Sequence, residues 1–541
     1  MSRFVSPDVR EGAAADIARF ARRGTREERS LYANAASSNV APVSAKVGAA
    51  KAASPHASAD EKPDLTTKPA HRYVPNSALV LFLLDFVFLG IAQAGLFGGI
   101  GGRLDIHNPV QLWLLVFASL GVYLSFLYAA GCYRRDTLVN FATATSRLSV
   151  ALGFSAVVVL LLMHFVMNLL FPDAILFRSV SRSATIAFLG MGISLCAGLY
   201  SRVLFFAMAR RHWFRRRVMI VGTGSRALYL YNLLNSDTQR QLTELAFLPE
   251  VMIGGEETQI PAALRNSVLT VSGKNVETLA SELLVDEVVV AVDEQRGLAL
   301  EGLLPWKTNG IPVFEFNAFI ERETGRVDLR WLELSYLLFS SGFQIRLMDA
   351  LMKRTMDIFI SAVALLVALP VLIISAVAIL VEDFGPVVYR QTRVTLGGRT
   401  FWIYKLRTMR TDAEKFGAQW AEADDPRITR VGRILRRTRV DEIPQLFNVL
   451  IGQMSLVGPR PERPMFVDDL SKKIRLYDLR HNVKSGLTGW AQINYPYGAS
   501  EEDARRKLEY DLYYMKNYSL LRDISIMLQT FRVLIWPQGV R

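Results

Sequence analysis

Two cysteines in 541 residues, Cys132 and Cys196, leave no disulfide framework, no zinc pattern and no redox motif to organise the chain. The opening residues are polar, so no cleavable signal peptide is expected. Acidic residues are in deficit, 50 Asp and Glu against 63 Lys and Arg, for a formal charge of +13. That excess asks for an anionic partner: nucleic acid, a lipid surface or a phosphorylated substrate. No nucleic acid is expected, because the chain has neither a recognition helix nor a platform of interleaved aromatic and basic residues. The apolar share, 51%, is ordinary in total. Its distribution is not, because it is gathered into blocks.

Residues 1–76, rich in Ala, Ser, Arg and Lys without a sustained period, predict a disordered basic tail with one short helix near Asp16–Arg23. Four apolar blocks follow, at roughly 78–98, 109–130, 148–171 and 183–201, each about the ~20 residues that cross a bilayer as a helix. Loop 131–147 holds Arg134, Arg135 and Arg147, and the fourth block is followed by Arg210, Arg211, Arg215, Arg216 and Arg217, whereas loop 99–108 has only Arg103. Arg178 and Arg182 blur the pattern between the third and fourth blocks. The bias still places both ends of a four-helix transmembrane bundle, 77–208, in the cytoplasm. Asp85, His164 and Asn168 are polar at membrane depth. Such residues are functional candidates, and their ordinary explanation is a helix–helix hydrogen bond or a place near the interface.

From Arg215 the texture is that of a soluble α/β protein. Val218–Val221 reads as a buried strand, Gly222-Thr-Gly224-Ser-Arg-Ala227 as a turn and Leu228 onward as a helix. A second strand, Glu287–Val292, precedes helical 297–308 and a third strand, Ile311–Glu315. The alternation predicts a Rossmann-like cytoplasmic domain with a parallel sheet over 209–330. Its GxGxxA turn could seat a pyrophosphate on a helix N-terminus, but no clear acidic residue closes the second strand at the ribose position. The domain is therefore expected to be structural or regulatory, with nucleotide binding as the alternative. Residues 331–349 form a linker.

A fifth block, 358–381, lies between Lys353-Arg354 and Glu382-Asp383, with Pro370 at its middle. It is long enough for a fifth transmembrane helix. Proline in a helix interior removes one backbone hydrogen bond and bends the helix. Positive charge also flanks both sides, Lys353 and Arg354 before and Arg390 and Arg393 after. A re-entrant membrane helix that breaks at Pro370 and returns to the same face satisfies both observations.

The last third carries the chemistry. Basic groups come in clusters: Lys405 with Arg407, Arg427 with Arg430, Arg433 with Arg436 and Arg437, Arg460, then Arg480 with Lys484. Such clusters suit a diphosphate gripped by several donors, or a face resting on anionic lipid headgroups. Among them sits the carboxylate pair Asp441-Glu442. Neighbouring arginines are expected to favour its ionised form and lower its pKa. An ionised carboxylate serves as a nucleophile on phosphorus, a magnesium ligand or both; an Asp-Glu pair beside arginines is also the ordinary make-up of a surface salt-bridge network. Adjacent helical residues point about 100° apart, so the two carboxylates should differ in role.

At this point residues 350–541 resemble the catalytic domain of the polyprenyl-phosphate hexose-1-phosphate transferases, the monotopic phosphoglycosyl transferases. The matching stretches are Lys353-Arg-Thr-Met-Asp357, Gly385-Pro-Val-Val-Tyr-Arg-Gln391, Tyr404-Lys-Leu-Arg-Thr-Met409, Asp425-Pro-Arg427, Asp441-Glu-Ile-Pro-Gln445 and Asn448-Val-Leu-Ile-Gly452. They continue through Met454-Ser-Leu-Val-Gly-Pro-Arg-Pro-Glu462, Gly486-Leu-Thr-Gly-Trp-Ala-Gln492 and Tyr510-Asp-Leu-Tyr-Tyr514. The upstream spans, the Rossmann-like domain and Phe319-Ile-Glu-Arg-Glu-Thr-Gly325 fit the long form of the family, similar to undecaprenyl-phosphate glucose phosphotransferases. Thr395 stands where the family often has Gly, Ser485 where Pro usually precedes Gly486, and Leu369 where some members have a small polar residue.

The resemblance implies a membrane protein made of a four-helix transmembrane bundle, an α/β Rossmann-like domain and a mainly α catalytic domain with a re-entrant helix. It implies a ping-pong phosphotransfer in the bacterial inner membrane, on its cytoplasmic face. Asp441 would attack the β-phosphorus of a UDP-sugar, with UDP-glucose favoured among UDP-hexoses, and expel UMP. Undecaprenyl phosphate would then take the sugar phosphate, the initiating step of exopolysaccharide, capsule or O-antigen synthesis. Mg2+ would be held by Asp441 with Glu442 assisting. Lys405, Arg407, Arg460, Arg480 and Asp511 would bind substrate, and Pro370 would break the membrane helix. Partners would be UDP-sugar, undecaprenyl phosphate, membrane lipid, downstream glycosyltransferases and a second copy in a homodimer. The competing reading is a non-catalytic membrane sensor whose Rossmann-like domain binds a nucleotide. Intact Asp441, Glu442, Lys405 and Asp511 speak against it.

Overall fold

The computed structural model describes residues 77–535 except 102–108, 163, 165–179, 212, 236–242, 250–259, 266–267, 269–284, 295–299, 412, 414–424, 497 and 499. The basic tail 1–76 and Asn168 lie outside the described residues.

The apolar blocks form helices α1 (Ser77–Gly101), α2 (Pro109–Ala129), α4 (Phe141–Leu161) and α5 (Val180–Arg210), with the short α3 (Arg135–Val139) between α2 and α4; α4 starts before the expected third block, of which 163 and 165–171 lie outside the described residues. Each of the four long helices holds a stretch long and apolar enough to cross a membrane. They pack α1 on α2 and α5, and α4 on α2 and α5, around Leu89, Phe97, Leu120, Tyr123, Leu148 and Leu152. Ile91, Phe117, Val157 and Phe188 remain exposed on the outside, a surface suited to lipid rather than water. Asp85 is buried in α1, where it pairs with Arg202 of α5 and accepts hydrogen bonds from Ser201 and, at 2.9 Å, from Tyr133. The ordinary explanation for this residue therefore holds: it joins helices. The start of α1, the α3 turn and the end of α5 share one apolar cluster, Leu81, Leu138, Phe205 and Phe214. The chain thus enters and leaves these helices at the same end.

The next part contains β1 (Arg216–Val221), α6 (Ser225–Leu234), β2 (Thr243–Leu248), β3 (Glu287–Val290), α7 (Leu304–Thr308), β4 (Val313–Glu315) and α8 (Phe316–Thr324). All four strands are parallel, in the order β2-β1-β3-β4. Sequence patterning gives three of them. It misses β2, an edge strand whose Thr243-Glu-Leu-Ala-Phe-Leu248 is half-buried at its middle and presents no clean apolar run. The glycine-rich turn after β1 is filled from within. Asp293 accepts the backbone N–H of Ser225 at 2.7 Å, that of Arg226 at 2.9 Å, and the Ser225 hydroxyl at 2.8 Å. A Cβ at Gly224 would lie 2.4 Å from Asp293 Oδ2, so this glycine makes room for the protein's own carboxylate.

Segment 319–325 joins the three parts. The buried Glu323 pairs with Arg135 of the α3 turn at 2.8 Å and with Arg216 of β1 at 2.5 Å. Burial pushes its pKa up, but Arg216, Arg135 and Arg322 bring it down to about 2. Glu321 pairs with Lys516 in the catalytic part at 2.7 Å.

The linker contains one short helix, α9 (Leu334–Phe339), and then α10 (Leu347–Glu382) runs on without interruption through Pro370. Phe359, Leu366, Val367 and Ile374 of α10 are exposed. The catalytic part adds β5 (Val388–Val394), β6 (Thr400–Leu406), α11 (Arg430–Thr438), α12 (Gln445–Leu450), β7 (Ser455–Val457), α13 (Pro464–Lys473), β8 (Gly486–Thr488), α14 (Trp490–Asn494), α15 (Glu501–Lys516) and α16 (Leu520–Ile535). It is mainly helical, with an antiparallel β5–β6 hairpin and a two-stranded parallel β7–β8 pair. Its core gathers Ile403, Leu446, Val449, Met454, Val457 and Tyr514. Helix α16 packs on α2, with Phe531 edge-on to Phe126 and Phe154.

Candidate active site

The site is assembled where α11 ends. Thr429 caps that helix, accepting from Gly432 N–H at 2.9 Å, and the carboxylate of Glu382 takes the N–H groups of Arg430 and Val431 at 2.6 and 2.8 Å. The last turn of the membrane helix α10 therefore seats α11. A Cβ at Gly432 would lie 2.1 Å from Thr408 O, so only glycine lets α11 lie this close to the chain leaving β6. Arg439, left-handed at φ 59, closes the helix and turns the chain into the single 3₁₀ turn Val440–Glu442. Asp441 and Glu442 are carried on that turn.

The two carboxylates meet different surroundings. Glu442 faces three cations: Lys405 of β6 at 2.8 Å, Arg460 at 3.5 Å and Arg439 at 3.9 Å. Burial would raise its pKa, but Lys405 and Arg460 outweigh that and hold it well below the usual range. Asp441 is buried, and among the described residues its Oδ1 has no hydrogen-bond partner. Burial and the neighbouring Glu442 charge raise its pKa against the pull of Lys405, Arg439 and Arg436. The expectation that arginines would depress the pair as a whole is corrected for Asp441: the nearest cations are turned to Glu442. Burial also lowers the pKa of Lys405, with Glu442 opposing.

The other expected site residues fall into three places. Arg460 reaches Glu442 and stands with the pair. Arg480 and Asp511 form a buried ion pair at 3.0 Å behind it, and Arg480 donates to Arg460 O at 3.1 Å. Asp511 is pushed up to about 6 by burial, with Arg480 opposing. Arg407 is engaged elsewhere, donating to Asp383 O at the end of α10. Arg393, noted in the sequence only as flanking charge, donates to Pro461 O at 3.0 Å and so helps hold the turn that carries Arg460. Thr395 and Ser485, the two departures from the family pattern, meet. Ser485 donates its N–H and hydroxyl to Thr395 Oγ1 at 3.2 and 3.0 Å, contacts that a Gly–Pro combination would lack.

Among the described residues no three His, Cys, Asp or Glu side chains gather as a metal cage. Asp441, whose buried Oδ1 lacks a partner among the described residues, is the carboxylate that would hold a hard cation.

The family described as "Bacterial sugar transferase" matches residues 348–537. A UDP-N-acetylgalactosamine-undecaprenyl-phosphate N-acetylgalactosaminephosphotransferase of Aeromonas hydrophila is 43% identical over 234 residues, 43% of this chain and 54% of its own length. The match thus spans about half of that relative. A UDP-glucose:undecaprenyl-phosphate glucose-1-phosphate transferase of Caulobacter vibrioides is 43% identical over 182 residues, 33% of this chain and 68% of its own. An uncharacterized sugar transferase of Haemophilus influenzae is 30% identical over 350 residues, 60% of this chain and 70% of its own. With Asp441, Glu442, Lys405 and Arg460 gathered at one turn inside the matched residues 348–537, and with the Caulobacter and Haemophilus relatives covered over 68% and 70% of their lengths, the chain belongs to the bacterial sugar transferase family.

Proposed function

We propose that this protein transfers a sugar-1-phosphate from a UDP-sugar to undecaprenyl phosphate at the cytoplasmic face of a bacterial inner membrane, initiating polysaccharide synthesis. The observation that carries the proposal is the buried Oδ1 of Asp441, without a hydrogen-bond partner among the described residues, beside a carboxylate paired with several cations. Arg460 grips the donor diphosphate, and Lys405 keeps Glu442 ionised. An Asp441 oxygen attacks the β-phosphorus, the bridging P–O bond breaks toward the α-phosphate, and UMP leaves with the electron pair. Undecaprenyl phosphate then displaces Asp441 from phosphorus, giving undecaprenyl-diphosphate-sugar. Mg2+ would be held by Asp441 and would neutralise charge on the diphosphate, while Glu442, expected to assist, is instead engaged by Lys405, Arg460 and Arg439. Phosphoryl transfer is chiefly positioning and charge neutralisation, which is what these residues offer.

The topology proposed for α10 is re-entrant, with Pro370 bending the helix rather than ending it as expected, since the helix continues on both sides of the proline. Its early turn is held by α12, Arg354 donating to Val449 O and Leu450 O at 2.6 and 2.7 Å, and its last turn by α11 through Glu382. Thirty-six residues as a straight rod would reach about 54 Å, more than the ~30 Å of bilayer hydrocarbon. Two ends gripped by neighbouring elements of one body favour a path that returns. Cysteines at Arg354 and Thr392, in a background lacking Cys132 and Cys196, should both label from the cytoplasmic side only. Outside labelling at Thr392 would mean a spanning helix.

The decisive experiment mixes enzyme with UDP-glucose or UDP-N-acetylgalactosamine and no lipid acceptor. UMP release with a gain of one sugar phosphate in protein mass is expected. A strict need for undecaprenyl phosphate before UMP appears would point to direct transfer.

A further inference from the structure

One short helix of the catalytic part, α14, touches both the Rossmann-like domain and the membrane helices through the turns next to them. Trp490 at its start donates its indole N–H to Gly325 O at 2.7 Å, in the turn that ends α8, and its ring stacks on Tyr513. Asn494 at its end accepts from Arg134 at 3.1 Å, in the loop between α2 and α3. Arg532 of α16 donates to Ile493 O at 2.8 Å. Between these anchors, the Oε1 of Gln492 accepts from Arg460 Nη1 at 3.4 Å, and Arg460 in turn reaches Glu442. The Arg460 backbone is separately fixed by Arg480.

We propose that Gln492 is a positioning residue for Arg460. Helix α14, clasped by Gly325 and Arg134, then makes donor binding depend on how the Rossmann-like domain and the membrane helices sit against the catalytic part. This rests on the reading of Arg460 as a phosphate-gripping group. The physical reason is preorganisation. The Arg460 side chain is 36% exposed and long, so it loses rotamer freedom when it closes on a phosphate. A fixed acceptor beside it removes part of that cost before the substrate arrives. The effect belongs to binding, which raises KM when it is lost, and not to bond-making at Asp441.

The test uses the full chain in lipid nanodiscs, with undecaprenyl phosphate and whichever of UDP-glucose and UDP-N-acetylgalactosamine the wild type turns over. Gln492→Ala should raise the donor KM on the order of ten-fold with kcat within about two-fold. Trp490→Phe, which keeps an aromatic ring beside Tyr513 and removes the indole N–H, should raise it about three-fold, and carries the same test if the first variant fails to fold. In an Arg460→Ala background neither change should add more than about two-fold, because the group they position is gone. Unchanged KM in both single variants, a loss confined to kcat, or effects that add fully to an impaired Arg460→Ala would overturn the proposal. An Arg460→Ala protein with wild-type KM would remove the phosphate-gripping role itself, and the relay with it.

Discussion

Asp293 and Asp441 both sit where the sequence invites a phosphate, one at a glycine-rich turn and one in a basic cluster, and they end in opposite conditions. Asp293 has both oxygens satisfied, by Ser225 and Arg226, and fills the helix N-terminus as a ligand's phosphate would. Asp441 is buried with an oxygen lacking any such partner among the described residues, while the cations nearby attend to Glu442. A saturated carboxylate stabilises its fold. An unsatisfied one costs stability and is available for chemistry. The contrast favours a structural glycine turn and a chemical aspartate, although both motifs advertise anions.

The largest test of that contrast is Asp441→Asn. UMP release should fall by about 10³-fold or more, because an amide cannot attack phosphorus. Thermal stability should hold or rise, since an unpaired buried charge is removed. A stable Asp441→Asn protein with substantial turnover would end the nucleophile reading. Asp293→Ala should behave as the mirror image. It should lose about 1–3 kcal/mol of stability as two N–H groups at a helix start lose their acceptor, with turnover per folded molecule nearly unchanged. A variant there that kept its melting temperature and lost activity would erase the distinction.

A pH profile sharpens it further. Asp441 must be ionised to attack, and its pKa is raised, so the acid limb of activity should lie above the ordinary carboxylate range. Lys405→Met removes a cation that lowers this pKa, so the limb should move to higher pH; a move to lower pH would contradict the assignment. The stability signs differ within the pair. The raised Asp441 favours the fold below the unfolded aspartate pKa and loses that contribution as pH rises through its folded value. The depressed Glu442 contributes above the unfolded glutamate pKa and loses it on acidification. The smallest effect is expected at the glycine turn, where millimolar pyrophosphate should leave hydrogen exchange at the Ser225 and Arg226 amides unchanged because Asp293 holds the place.

Much of the architecture is legible in the sequence. Four apolar blocks became four packed helices because ~20-residue apolar runs have few alternatives. Three strands of the parallel sheet were marked by β-branched runs, and β2 was not, since an edge strand buries only part of itself. At the site, motif order brought Asp441, Glu442, Lys405 and Arg460 into view. Patterning said nothing of the separate place of Arg407, on Asp383 O, or of the Arg480–Asp511 pair as the support behind Arg460. Gln492 lay inside a matched stretch, but only its distance to Arg460 gives it a task.

The sequence by itself determined the membrane blocks, the α/β middle and the carboxylate pair in its basic setting, because these depend on composition and short-range spacing. Tertiary structure decided which carboxylate would be neutralised and which left open. Lys405 and Arg460 stand 37 and 18 residues from Glu442 along the chain, and they reach it only because Gly432 lets α11 lie against the exit of β6 while Arg480 fixes the backbone of Arg460. Charge falls off with distance and burial, and both are set by folding.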